Sequence, residues 1–369
     1  METSLNRRGF LERAAGVAAG AVAVGVSTPV WGAEPAPAAA ATKPGVAGIG
    51  LQLYTVRELV DQNLDQALES VAKVGYKVIE FAGYGGRTPE QIRATLDRLK
   101  LTAPSSHISL ATLRTDLDTQ IHIAETIGHQ YITVPSLPAT PTTADGWKKV
   151  ADEFNTIATK LKARKIGLAF HSHRDEFFDV GGGKKGMDLF ITGTDPSLVT
   201  FEIDLGWARV AGQNPSDWFS RYAGRIKMWH VKDILALQAA QDTQTERFKT
   251  MAAAPPAPAA ATAAAPAAAP PAPGGAAPAA GAPRGGGAPG GGQRTGGAGG
   301  GGRAGGAPAV TGGPVPIGAG EIDYKPIFEQ WKTSGLEHFF VEQDGAANWP
   351  GGSLVAIATS HRNLVNLLS

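Results

Sequence analysis

Apolar residues in this chain fall into short runs, each followed by an amphipathic stretch. GIGLQLYTV, beginning at Gly48, reads as a first strand, and LDQALESVAKVG after it carries apolar residues at helical spacing up to Gly75, a natural helix stop. The alternation repeats: YKVIEFA then TPEQIRATLDRLK, TAPSSHISL then LDTQIHIAETIG, and YITVPS then a long helix from Trp147 to Lys165. Thr88 and Pro89 supply an N-cap and first-turn pair for the second helix. Four more apolar runs follow, IGLAFHSHRDEF, VTFEIDLGWARVAG, IKMWHVKD and HFFVEQDG, with helices expected near Gly186–Thr192, Pro215–Tyr222 and YKPIFEQWKTSG, and LVAIATSHRNLVNLLS last. Apolar strands alternating with helices predict a parallel sheet covered on its outside, and eight such units predict a (β/α)8 TIM barrel.

The last four strands end alike. His171, His173 and Glu176 follow the fifth, Asp204 ends the sixth, His230 and Lys232 the seventh, Glu342 and Asp344 the eighth. Barrel strands end in catalytic and ligand residues at one face, so these side chains should meet. Glu80 ends the second strand and is a candidate for a substrate hydroxyl. His107 ends the third, Trp207 could stack on a ring-shaped substrate, and Glu202 shares the face of Asp204 by period two, one layer deeper.

Two regions break the pattern. Residues 1–33 read as an export signal, with Arg7-Arg8 before Gly9-Phe10-Leu11 and an apolar stretch from Ala14 to Val26, short for a membrane span. This resembles a twin-arginine signature and predicts a periplasmic protein without a stable membrane span after signal removal; the alternative is an uncleaved membrane anchor. An Ala/Pro-rich linker at 34–47 would lead into a barrel at 48–369. The barrel is interrupted at 252–313 by an Ala/Pro/Gly tract that lacks side chains for a core and is expected to be disordered.

Composition narrows the chemistry. With 34 basic and 33 acidic residues the net charge is +1, which gives no reason to expect a nucleic-acid surface. The chain has no cysteine, which removes disulfides, thiolate ligands and a cysteine nucleophile.

LQLYTVR, GYKVIEFAGYGG, HSHRDEF, FEIDLGWARVAG, HVKD, GAGEIDY and VEQDG, in this order, resemble the sugar phosphate isomerase/epimerase family, xylose-isomerase-like barrels related to inosose dehydratase and ketose 3-epimerases. Ser172, where many relatives carry Asn, and the long tract are departures. The resemblance implies one divalent metal (Mn, Co, Zn or Mg) at the barrel mouth, with Asp204, His230 and Glu342 as ligands from the last three strands. For the fifth strand Glu176 is the expected ligand, with the histidines contacting substrate; the alternative is ligation by His171 or His173. It further implies proton abstraction next to the carbonyl of a sugar or polyol through a metal-bound enediolate. The catalytic pair would be Glu342 with Glu176 or His173, and Lys232 an electrostatic helper. Reprotonation would give an isomerase or epimerase; loss of a β-substituent would give a lyase or dehydratase of keto-glycosides or keto-polyols.

Overall fold

The computed structural model describes residues 48–254 and 313–369. The expected signal and linker, and all but the edges of the low-complexity tract, lie outside the described residues. Those edges correct its bounds: Ala252 and Ala253 close a helix, Leu237–Ala253, and Gly313 opens a strand.

Eight parallel strands close into a barrel. They are β1 (Ile49–Gln52), β2 (Val78–Phe81), β3 (Thr102–His107), β4 (Tyr131–Val134), β5 (Gly167–Ser172), β6 (Val199–Asp204) and β7 (Ile226–Val231), completed by β10 (His338–Val341), which pairs with both β7 and β1. Between the last two barrel strands, β8 (Asp233–Leu235) and β9 (Gly313–Val315) form an antiparallel ribbon. The run IKMWHVKD is therefore split at Lys232. Asp233 does not face the barrel helices; its carboxylate accepts the backbone N–H groups of Ile234, Gly318, Gly320 and Ile322 at 2.8–3.1 Å and so fixes the GAGEI loop.

Local chemistry explains the covering helices. Thr88 and Gln91 form a reciprocal capping box at the start of Pro89–Leu99, and Gly75, with φ 124°, stops Leu64–Val74. Helix Ala144–Lys162 buries Trp147, Ala151, Phe154, Ala158 and Leu161, a stripe at steps of four and three, against the barrel wall. There Phe154 meets Phe170 of β5 and Phe190 edge-on. The main apolar core is this layer between strands and helices, and it leaves the strand ends free for polar groups.

Candidate metal and proton-transfer site

Strand register decides who meets whom. His171 pairs in register with Glu202, Asp204 with His230, and Gln52 with Glu80. Because neighbours in register project to the same side, the barrel gathers these side chains into two stacked polar layers.

The deeper layer holds Glu80, His107, Glu202 and His230. Glu80 is fully buried and accepts from Gln52 Nε2 at 2.8 Å and Ser105 Oγ at 2.6 Å, while its Oε2 lies 2.6 Å from His230 Nε2. Glu202 Oε2 lies 3.1 Å from His107 Nε2, 2.9 Å from His171 Nδ1 and 3.1 Å from His230 Nε2. Desolvation alone would lower His107, but the Glu80 and Glu202 carboxylates outweigh it and raise the imidazole to about 9. His230 rises well above its ordinary value: burial opposes its charge, and Glu202, Glu342 and Glu80 overcome that.

The outer layer holds His171, Asp204, His230, Glu342 and Lys232. His230 Nδ1 lies 3.0 Å from Glu342 Oε2, and His171 Nε2 4.0 Å from Asp204 Oδ2. Lys232 is 1% exposed, and its ammonium sits 2.9 Å from Asp204, 2.8 Å from Glu342 and 2.7 Å from Asp344. Burial opposes that charge, but the three carboxylates win and raise the Lys232 pKa. Glu342 falls well below the usual carboxylate range: Lys232 and His230 overcome the desolvation that would raise it. Burial raises Asp204 to about 6 against the pull of Lys232. His171 drops to about 3, through burial and the charge of His230.

One ligand atom each from His171, Asp204, His230 and Glu342 lies within 4.8 Å of the others, and His107, His171, Glu202 and His230 form a second such group. Two nitrogens and two carboxylate oxygens suit a borderline divalent cation. Among the described residues Asp204 Oδ2 has only the Lys232 ammonium within hydrogen-bond distance, at 2.9 Å, and Glu202 Oε1 is buried with no hydrogen-bond partner. Charge points the same way. Five carboxyl groups, Glu80, Glu202, Asp204, Glu342 and Asp344, stand against Lys232, His107 and His230, an excess of acidic groups that suits a cation.

Of the residues singled out from sequence, Asp204, His230, Glu342, Lys232, His171, His107 and Glu80 are brought together. Glu176 is in neither four-residue group: its carboxylate accepts the His173 backbone N–H at 3.0 Å, and burial raises it to about 7. His173 packs edge-on against His171, ring centres 4.7 Å apart, and burial above all, with the neighbouring His171 and Lys232, lowers its pKa well below the ordinary imidazole value. Trp207 donates its backbone N–H to Asp204, and Lys232 and Arg174 each lie 4.9 Å from its ring centre. Its neighbour Gly206 is required by closeness, since a Cβ there would collide with the Lys232 carbonyl. Gln52 and Ser105 were missed; a lone polar residue inside the first apolar run was the available signal for Gln52.

Known proteins frame this geometry. Over 193 residues, 46% of its length, the chain is 25% identical to an inosose dehydratase of Geobacillus kaustophilus and spans 62% of that protein. A solved sugar phosphate isomerase/epimerase from Parabacteroides distasonis superimposes with a TM-score of 0.60 at 20% identity, covering 87% of this chain and 99% of the other. A structure of the IolI protein with a bound zinc atom gives a TM-score of 0.56 at 13% identity, covering 87% and 98%. These structural likenesses speak for the fold. The profile described as a xylose isomerase-like TIM barrel matches residues 39–251. With more than half its length matched and a closed eight-stranded parallel barrel, the chain belongs to the xylose isomerase-like TIM barrel family.

Proposed function

We propose that the chain is a divalent-metal-dependent isomerase or epimerase of a sugar or polyol that removes a proton next to a carbonyl. The observation carrying this is the His171–Asp204–His230–Glu342 group, four ligand atoms within 4.8 Å of one another. In this reading His171, rather than Glu176, supplies the donor from β5, because it belongs to the group and Glu176 does not. A bound divalent ion supplies Lewis-acid stabilisation of negative charge developing on a carbonyl oxygen.

The chain's own residues do the remainder. Glu176, raised to about 7 by burial, accepts the C–H proton near neutral pH, where a general base is most effective. His173, its pKa lowered by burial, is the alternative to Glu176 as the base. Lys232 holds a positive charge between Asp204 and Glu342 and stabilises negative charge on substrate oxygen. His107 and Trp207 contact the sugar, whereas Glu80, fully buried and bonded to Gln52, Ser105 and His230, orients His230 through its Nε2 instead of meeting a substrate hydroxyl.

Return of the proton completes an isomerisation or epimerisation. The dehydratase relatives favour a second outcome on the same residues. In it the C–H electron pair forms a C=C bond, the bond to a β-oxygen breaks, and that oxygen leaves with a proton.

Turnover of a keto-sugar in D₂O tests both. Deuterium at the carbon next to the carbonyl is expected, with a released alcohol or water marking the lyase outcome. Product formed without label or leaving group refutes the reading. Export to the periplasm belongs to the same proposal, supported by Arg7-Arg8 and the apolar stretch behind it. Among the described residues no helix is long and apolar enough to cross a membrane.

A further inference from the structure

The two groups of possible ligand atoms share His171 and His230. Each histidine turns opposite ring nitrogens to the two layers. His171 directs Nε2 to Asp204 Oδ2, 4.0 Å away in the outer layer, and Nδ1 to Glu202 Oε2 at 2.9 Å in the deeper one. His230 directs Nδ1 to Glu342 Oε2 at 3.0 Å and Nε2 to Glu80 Oε2 at 2.6 Å. A neutral imidazole offers a ligand lone pair on one nitrogen and carries its hydrogen on the other. An ion in the outer group therefore leaves the hydrogens of both rings in the deeper layer, where the acceptors are carboxylates. The deeper group then supports the ligands and takes no ion of its own.

Glu202 is placed for this task. It stands two residues before Asp204 on β6, so one strand presents both side chains to the barrel interior at successive depths. It is fully buried and pairs in register with His171 of β5. Its Oε2 also lies 3.1 Å from His107 Nε2 and from His230 Nε2, and the contact to His171 is the shortest of the three. An ionised carboxylate only accepts, so it selects the form of His171 with hydrogen on Nδ1. The other tautomer would aim an N–H from Nε2 towards Asp204 and withdraw that nitrogen from an ion. His230 has Glu80 as its nearer partner on the deep side; His171 has Glu202.

We propose that Glu202 is a positioning residue that holds His171 in its Nδ1–H tautomer, so that the barrel binds one divalent ion in the outer layer and none beneath it. The inference rests on the metal reading above. The two carboxylates of FEID then have different tasks: Asp204 ligates, and Glu202 orients a ligand on the neighbouring strand.

Zinc titration and ¹⁵N-histidine NMR of the full chain test it, with the His171 signal assigned by its loss in His171→Gln. The parent should bind one zinc per chain, and His171 should carry its hydrogen on Nδ1 with and without zinc. Glu202→Leu removes the acceptor, so zinc affinity should fall about 10–100-fold and metal-free His171 should move towards the Nε2–H tautomer. Glu202→Gln keeps an acceptor oxygen and should retain the Nδ1–H tautomer and recover most of the affinity. Ser105→Ala, which deletes a bond to Glu80 in the same layer, should leave the His171 tautomer as it is, a control for lost packing. If Glu202→Leu does not melt cooperatively, the parent tautomer and Glu202→Gln decide. Hydrogen on Nε2 of His171 in the parent, two zinc ions per chain, an unchanged tautomer or zinc affinity in folded Glu202→Leu, or no rescue by Glu202→Gln overturns the inference and leaves the metal reading standing. A parent that binds no zinc removes the metal reading and the inference with it.

Discussion

Glu176 carries the sharpest prediction. Glu176 is 3% exposed, its carboxylate accepts from the His173 backbone N–H, and burial lifts its pKa from 4.5 to about 7. A carboxyl raised on folding favours the protonated native state. Below pH 4.5 both folded and unfolded chains hold that proton, and the contribution is fully present. As pH rises towards 7 the unfolded chain ionises first, and stability is lost. A shift of about 2.5 units corresponds to roughly 3 kcal/mol at 1.36 kcal/mol per unit. Glu176→Gln has no proton to lose. In chelated protein unfolded with urea, the variant should gain roughly 3 kcal/mol on the parent between pH 4.5 and pH 8. The same carboxylate must be ionised to act as a base, so kcat/KM of the metal-loaded parent should climb through an apparent pKa near 7. The variant should lose that limb and about 10²–10⁴-fold in rate. Parallel stability curves would refute the burial argument. Loss of stoichiometric metal in Glu176→Gln, by elemental analysis, would make Glu176 a ligand and refute its assignment as base.

Other consequences are checked more briefly. Asp204→Ala or His230→Ala should abolish divalent metal binding, measured by elemental analysis, while the circular dichroism spectrum persists, because both lie at the strand ends beyond the packed core. Lys232→Met leaves Asp204, Glu342 and Asp344 without their ammonium, so the metal-free variant should lose about 3–5 kcal/mol in urea unfolding, and added metal should restore part of it. Asp233→Ala strands four backbone N–H groups of the β8–β9 region, and a loss of at least about 2 kcal/mol is expected, read as a lower Tm. Replacing 255–312 with a short Gly/Ser linker that keeps Gly313–Val315 should leave a cooperatively melting, metal-binding chain, since the tract's composition offers a core nothing.

The strand ends were legible because a barrel imposes one rule on all of them: an apolar body, then a polar tip at the shared face. That rule found Asp204, His230 and Glu342 without knowledge of who touches whom. It could not find the burial of Lys232. A lysine in a sequence reads as solvated unless its partners are known, and these lie 28, 110 and 112 residues away in the chain. Nor could it rank Glu80, since the contact that gives it a role is to His230, 150 residues on and across the barrel interior. Helix Leu237–Ala253 escaped for a different reason. Only Leu237 and Gln244 of its residues are buried, so it has no apolar stripe; Gln244 is held by Asp175, and the neighbouring residues line a cleft. A helix that serves the core announces itself through its periodic apolar face, whereas one held by polar bonds to Asp175 and the Arg209 carbonyl is free of that demand.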